Sequence, residues 1–163
     1  MRVLDAMHQD WPVATEVRKL QSRVWRLSRK ENLKTILVTS AVGGEGKTTT
    51  VAYLAATIAL HPDRKVLAVD CDFRRPHLHT HFDITPERGF ADLLHGRCGE
   101  QEAIQGTPLP NLDLLLAGTL RESPGKVLDS PRVEDVFASL RARYDIILLD
   151  APPLVPVADA AAL

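Results

Sequence analysis

The chain has 163 residues, 45% hydrophobic and 25% charged, with 20 Lys and Arg against 21 Asp and Glu for a net charge of −1. That composition fits a folded domain long enough to bury a core, and it excludes a disordered, collagenous or disulfide-stapled chain. No stretch approaches the ~18 apolar residues of a membrane span, and the start MRVLDAMHQDW lacks a signal-peptide apolar core. Near-neutral charge argues against nucleic acid as a general partner. Cys71 and Cys98 have no metal-ligand spacing, which fits a reducing cytoplasm.

Residues 1–11 read as an arm without periodicity. From Pro12 to Lys30, Val13, Val17, Leu20, Val24 and Leu27 recur at helical spacing and predict one apolar stripe, with Arg18, Lys19, Arg23, Arg26, Arg29 and Lys30 on a basic solvated remainder. LKTILVT (33–39) predicts a strand buried on both faces, followed by a Gly-rich turn and a helix over 47–60. KVLAVD (65–70) predicts a second buried strand. Residues 74–110 read as loop with short helical pieces, including 89–95. A third strand over 111–117, a helix over 130–143 and a fourth strand over 145–150 follow. Alternating strands and helices predict an α/β fold: a doubly wound, mainly parallel sheet with helices on both faces. From Ala158 another helix is expected. The chain stops in ADAAAL, so a further strand–helix unit is expected beyond the C-terminus, with 12–163 as one domain cut short.

SAVGGEGKTTT (40–50) follows an apolar strand and opens a helix, the setting of a P-loop, with Ala41 at the first position of G-x-x-x-x-G-K-[ST]. Gly43, Gly44 and Gly46 let the backbone turn and aim N–H groups at phosphate oxygens, and the helix dipole favours an anion. Glu45 and Thr49 complete the predicted nucleotide-binding run. Lys47 supplies a cation to the β- and γ-phosphates, and Thr48 a hydroxyl to Mg²⁺. Asp150 closes IILLD and Asp70 closes VLAVD, with Asp72 two residues on. Three carboxylates at strand C-termini suit a hard dication and a hydroxyl nucleophile that needs a base.

The P-loop SAVGGEGKT, the segment VLAVDCDFRRP and the segment IILLDAPP resemble the Walker A, Walker A′ and Walker B motifs of bacterial tyrosine kinases. These are the autokinases of capsule and exopolysaccharide assembly, in the ParA/MinD branch of P-loop ATPases. Asp70, Asp72 and Arg74 meet D-x-D-x-R, and Asp150, Pro152 and Pro153 meet D-x-P-P. The segments GFADLLHG, NLDLLLAG and SPRVEDVFASLRARYD are also similar, so the resemblance spans 12–163. It implies a P-loop kinase domain using ATP and Mg²⁺. Lys47, Asp70, Asp72 and Asp150 would be catalytic, Asp70 as base toward a tyrosine hydroxyl. Thr48, Asp70 and Asp150 would serve the metal. It also implies a transmembrane chain-length regulator (Wzz-like) as partner, a location at the inner face of the plasma membrane, and a C-terminal Tyr cluster as substrate.

The chain departs from the family in places. Gly43 stands where Pro is frequent. Val42 stands where partition and cell-division ATPases carry a signature Lys, which favours the kinase side. The family's inter-subunit motif E-x-x-R-x-x-R falls on Thr15, Arg18 and Gln21, with Glu16 adjacent, so weak self-association is expected. Tyr53 and Tyr144 read as structural. His77, His79 and His81 read as a polar loop rather than a metal site, Cys71 as a small buried thiol and Cys98 as a loop residue. Trp11 and Trp25 read as packing residues. Arg74 and Arg75 could meet phosphate, a neighbouring subunit or the adjacent acids. Two other functions stay open: a ParA/MinD-like ATPase switch, and a non-catalytic ATP-binding assembly partner.

Overall fold

A computed structural model describes Val3, residues 12–120 and residues 123–154. Of the expected arm only Val3 falls within this range, fully buried in the core. The helix expected from Ala158 lies outside the described residues. In chain order the elements are α1 (Pro12–Glu31), β1 (Thr35–Val38), α2 (Lys47–Ala59), β2 (Val66–Asp70), α3 (Leu78–Phe82), α4 (Phe90–Leu94), α5 (Glu100–Ala103), β3 (Ile104–Gly106), β4 (Leu112–Leu115), α6 (Pro124–Leu128), α7 (Arg132–Arg143) and β5 (Ile146–Asp150).

The strands form one sheet in the order β1-β5-β2-β4-β3. Pairing is parallel throughout except β3–β4, which is antiparallel. β2 and β5 occupy the centre, and every residue in both is buried. Their unbroken apolar runs demand this, since burying each Val, Leu or Ile contributes roughly 1.5–3 kcal/mol and neither face can be left to water. The apolar side chains divide by strand alternation. Val66, Ala68, Ile146 and Leu148 pack with α1, α2 and α3 on one face. Leu67, Val69, Ile147 and Leu149 pack with α4, α6 and α7 on the other. The sheet is thus doubly wound, as the alternation of elements predicts.

Three expectations are corrected. First, LKTILVT is not buried on both faces. β1 is an edge strand of the described sheet; Ile36 and Val38 join the first core layer, while Leu37 is 39% exposed. Second, the buried face of α1 runs through Val17, Gln21, Val24 and Ser28, and Leu20 and Leu27 are exposed. The helical period was legible, but polar Gln21 and Ser28 take the inward positions; the Ser28 hydroxyl donates to the Leu33 carbonyl. Third, residues 78–82 form the short helix α3, not a loop. Trp25 packs as expected, with the Arg64 guanidinium 4.0 Å from its ring centre.

Candidate nucleotide site

The C-terminal ends of β1, β2 and β5 meet at one edge, and the loops that follow them surround a cleft of about 570 Å³. Cross-links hold those loops. Thr39 Oγ1 donates to the Pro152 carbonyl (2.7 Å), the Leu154 N–H to the Ser40 carbonyl (2.9 Å), and the Cys71 N–H to the Asp150 carbonyl (2.9 Å).

One wall is the turn between β1 and α2. Gly44 and Gly46 have φ of +86° and +85°, a conformation in which a Cβ is strained. Gly43 needs no such freedom, so the three glycines differ in role. Gly46 is the N-cap of α2 and offers no side-chain acceptor, so the first N–H groups of this 13-residue helix lack a side-chain cap. A Cβ built on Gly43, Gly44 or Gly46 would meet nothing within 4 Å, so the turn faces open space. An uncapped helix N-terminus bordering open space suits phosphate oxygens. Glu45, expected among the nucleotide-binding residues, braces the turn: its carboxylate accepts the Val42 N–H at 3.1 Å. Lys47, Thr48 and Thr49 line the cleft.

The facing wall comes from the loop after β2 and from α3. Asp72, Arg74, Arg75, His77 and His81 line it. Lys47 Nζ lies 3.5 Å from Asp72 Oδ2 across the cleft floor. PHLHTHF reads from the sequence as a polar loop rather than a metal site, and the structure brings His77 and His81 of that segment to the cleft. Cys71 is buried, and burial with three neighbouring acids pushes its thiol well up, which fits the inert reading.

Asp70 and Asp150 are directly paired across β2 and β5, and both are fully buried. Burial first, then the Asp150 charge, pushes the Asp70 carboxyl up to about 7, although backbone N–H groups of Leu78 and Asp72 pull the other way. Burial pushes Asp150 up to about 6, against the Thr48 hydroxyl and the Lys47 ammonium. Thr48 is close enough to exert that pull without meeting hydrogen-bond geometry, and neither oxygen of Asp150 has a hydrogen-bond partner. Bare carboxylate oxygens, buried and beside Thr48, are the donor set that a hard dication fits. Among the described residues no three His, Cys, Asp or Glu are arranged to hold a metal by themselves. Mg²⁺ suits that, since it keeps several waters and takes substrate phosphates as ligands.

The AAA domain model matches residues 33–163. The chain is 33% identical over 154 residues to tyrosine-protein kinase YwqD of Bacillus subtilis, covering 90% of this chain and 65% of that protein. It is 30% identical over 145 residues to tyrosine-protein kinase Wzc of Salmonella typhi, covering 89% and 20%. The chain thus spans about two thirds of the first relative's length and a fifth of the second's. Among solved structures, the chimerical protein CapA2B2 superposes with a TM-score of 0.90 at 28% identity, covering 98% of this chain and 70% of that one. MinD of Pyrococcus horikoshii, complexed with Mg-ADP, superposes at 0.61 and 31% identity, covering 74% and 49%. With a P-loop on the described cleft and a family model over most of its length, the chain belongs to the AAA domain family, among relatives that are bacterial tyrosine-protein kinases and, more distantly, MinD-type ATPases.

Proposed function

We propose that residues 12–163 form the nucleotide-binding part of a protein-tyrosine kinase domain that binds Mg·ATP and transfers the γ-phosphoryl group to tyrosine. The observation that carries this reading is the bare, buried Asp150 carboxylate beside Thr48 and Lys47 at an uncapped helix N-terminus. The P-loop N–H groups and Lys47 bind and orient the phosphates. Thr48 and Asp150 would hold Mg²⁺, which neutralises charge building on the transferred group. Asp70 and Asp72 complete the acidic set. Rate enhancement comes chiefly from positioning and charge neutralisation.

Tyr53 and Tyr144 are 6% and 3% exposed, so the acceptor tyrosine is proposed to come from other residues than these two. Val42, where the switch ATPases of this branch carry Lys, supports transfer to tyrosine over an ATPase switch. By the same resemblance we assign the kinase to polysaccharide synthesis and export, at the cytoplasmic face of the membrane, with a transmembrane chain-length regulator as partner. No helix among the described residues is long and apolar enough to cross a membrane itself.

Intact-mass measurement of the full-length protein after incubation with Mg·ATP, beside a phosphate-release assay, tests the reading. A kinase gains phosphotyrosine. Phosphate release without phosphotyrosine establishes the switch, and neither product overturns catalysis altogether.

A further inference from the structure

Asp70 and Asp150 are equivalent in position, paired across neighbouring strands and fully buried. They are not equivalent in contacts. Asp70 Oδ1 accepts the Asp72 N–H, and Oδ2 accepts the N–H groups of His77 and Leu78, each at 3.1 Å. A carboxylate offers roughly four acceptor positions, so three of Asp70's are filled and none of Asp150's. All three donors to Asp70 lie in residues 72–78. Within that span the Arg75 N–H donates to Asp72 Oδ1 at 3.1 Å, a second tie. His77, at the N-cap position of α3, supplies no side-chain cap, and the Asp70 carboxylate serves the start of that helix instead.

We propose that Asp70 is a positioning residue: its carboxylate clasps residues 72–78, so that Asp72 meets Lys47 and Arg75 and His77 line the cleft, while Asp150 is the acid left free for the dication. The clasp stands on hydrogen bonds alone; the assignment of Asp150 to the dication rests on the nucleotide reading above. Asparagine at position 70 keeps one acceptor oxygen and replaces the other by an NH₂ donor. One side of the clasp then faces donor against donor, and the loop opens.

The experiment compares amide hydrogen exchange and ADP affinity, with and without Mg²⁺, in the wild type, Asp70→Asn and Asp150→Asn. Asp70→Ser, which removes the buried charge and keeps a short acceptor, is measured alongside, with β5 amides as the control for opening of the sheet. In the Asp70 variants, the amides of Asp72, His77 and Leu78 are expected to exchange at least tenfold faster while β5 stays protected. Mg-free ADP affinity falls about three- to tenfold, and the factor by which Mg²⁺ tightens ADP is retained. Asp150→Asn is expected to leave the 72–78 exchange within about twofold and to abolish the Mg²⁺ factor. Wild-type protection in both Asp70 variants overturns the clasp. Loss of the Mg²⁺ factor with protection intact overturns it in favour of a cation-binding Asp70. If the wild type shows no Mg²⁺ effect on ADP, the nucleotide reading falls, and exchange in the Asp70 variants still decides the clasp.

Discussion

The Lys47 ammonium lies 3.5 Å from the Asp72 carboxylate, with the two side chains 12% and 9% exposed. This contact joins the P-loop to the loop after β2 and holds the lysine over the cleft, on the proposed function before any phosphate arrives. A buried pair of this kind has little net value for stability, because desolvation offsets much of the attraction. Its consequence is orientation: Lys47 does not have to be ordered at the moment of binding.

Lys47→Met keeps the length of the side chain and deletes its charge. Loss of a charge-assisted phosphate contact is expected to cost on the order of 2–4 kcal/mol in the transition state, so turnover falls by a factor of roughly 30 to 1,000. The fold is expected to remain, with some stability lost because Asp72 loses its ion-pair partner, since Lys47 sits on the first turn of α2, ahead of the buried residues that begin at Val51. Rate assays with circular dichroism as the folding control check this. Near-wild-type turnover in the variant would sink the P-loop assignment.

The paired acids give stability a pH dependence. In the folded protein Asp70 and Asp150 are pushed up to about 7 and about 6 from 3.8. The folded state therefore holds more protons than the unfolded state between these values, and stability falls as pH rises through that window. Ligand-free protein is expected to melt lower at pH 8 than at pH 5.5. Mg²⁺ with ADP is expected to reverse the trend, because the cation competes with the proton for Asp150. Asp150→Asn removes one of the two titrating groups, so the fall in stability between pH 5.5 and pH 8 is expected to become shallower. Thermal melts across pH 5–8, with and without Mg·ADP, check both statements; a flat profile in the wild type removes the basis for them.

Gly89 and Gly118 bring two backbones into contact. A Cβ on Gly89 would fall 2.2 Å from the Leu116 carbonyl oxygen, and one on Gly118 would fall 2.6 Å from Asp92 Oδ2 and 3.0 Å from Gly89 Cα. Asp92 ties the crossing together, accepting from the Gly89 and Thr119 N–H groups and from Arg97 Nε. The Arg97 contact and those N–H groups hold its carboxyl below the usual range, although burial alone would raise it. Gly118 also has φ +76°, so Gly118→Ala meets strain and clash together. We expect a loss of about 2–4 kcal/mol in chemical denaturation. A loss below about 0.5 kcal/mol would show that the crossing yields easily.

How much of this was legible depends on where each signal lies. β2 and β5 announce themselves because five adjacent apolar or strand-ending residues allow only a central position. The P-loop is equally local: strand, glycines, Lys47 and Thr48 stand within fourteen residues. β3 is different. Three residues carry no period, and Ile104–Gly106 is a strand only because β4 lies beside it. α3 is helical where LHTHF reads as polar loop because its first N–H groups are met by Asp70, on the preceding strand. The unlike roles of Asp70 and Asp150 were invisible for the same reason, since each is simply an Asp ending an apolar run.

Tyr144 donates its phenolic O–H to Asp113 Oδ2 at 2.7 Å and joins the start of β5 to β4. Burial and this bond raise its pKa. Tyr144→Phe leaves Asp113 short of a partner, and about 1–2 kcal/mol of stability should be lost. Phosphorylation by Mg·ATP is expected to be unchanged in total amount, because the hydroxyl is not available as an acceptor. Peptide mapping by mass spectrometry checks this: phosphate found on Tyr144 or Tyr53 would contradict the structural reading of both.

The last prediction concerns assembly and comes from α1. The positions that correspond to the family's inter-subunit motif are Thr15, Arg18 and Gln21. Thr15 and Arg18 are exposed, but Gln21 is 7% exposed and turned into the core, where it cannot reach a neighbour. Glu16, adjacent to the first position, is held by Lys19 at 2.7 Å, and one residue is about 100° around a helix, so it does not substitute for Thr15. Of the two arginines and one glutamate in the motif, only Arg18 remains in place. Each missing interface ion pair is expected to weaken association by about 1–3 kcal/mol. The chain alone is therefore expected to be monomeric or weakly associated at micromolar concentration, with any ring depending on a membrane partner. Light scattering over a concentration series with Mg·ADP measures this. A stable octamer-sized species at low micromolar protein would show that a surface other than these three positions carries the ring.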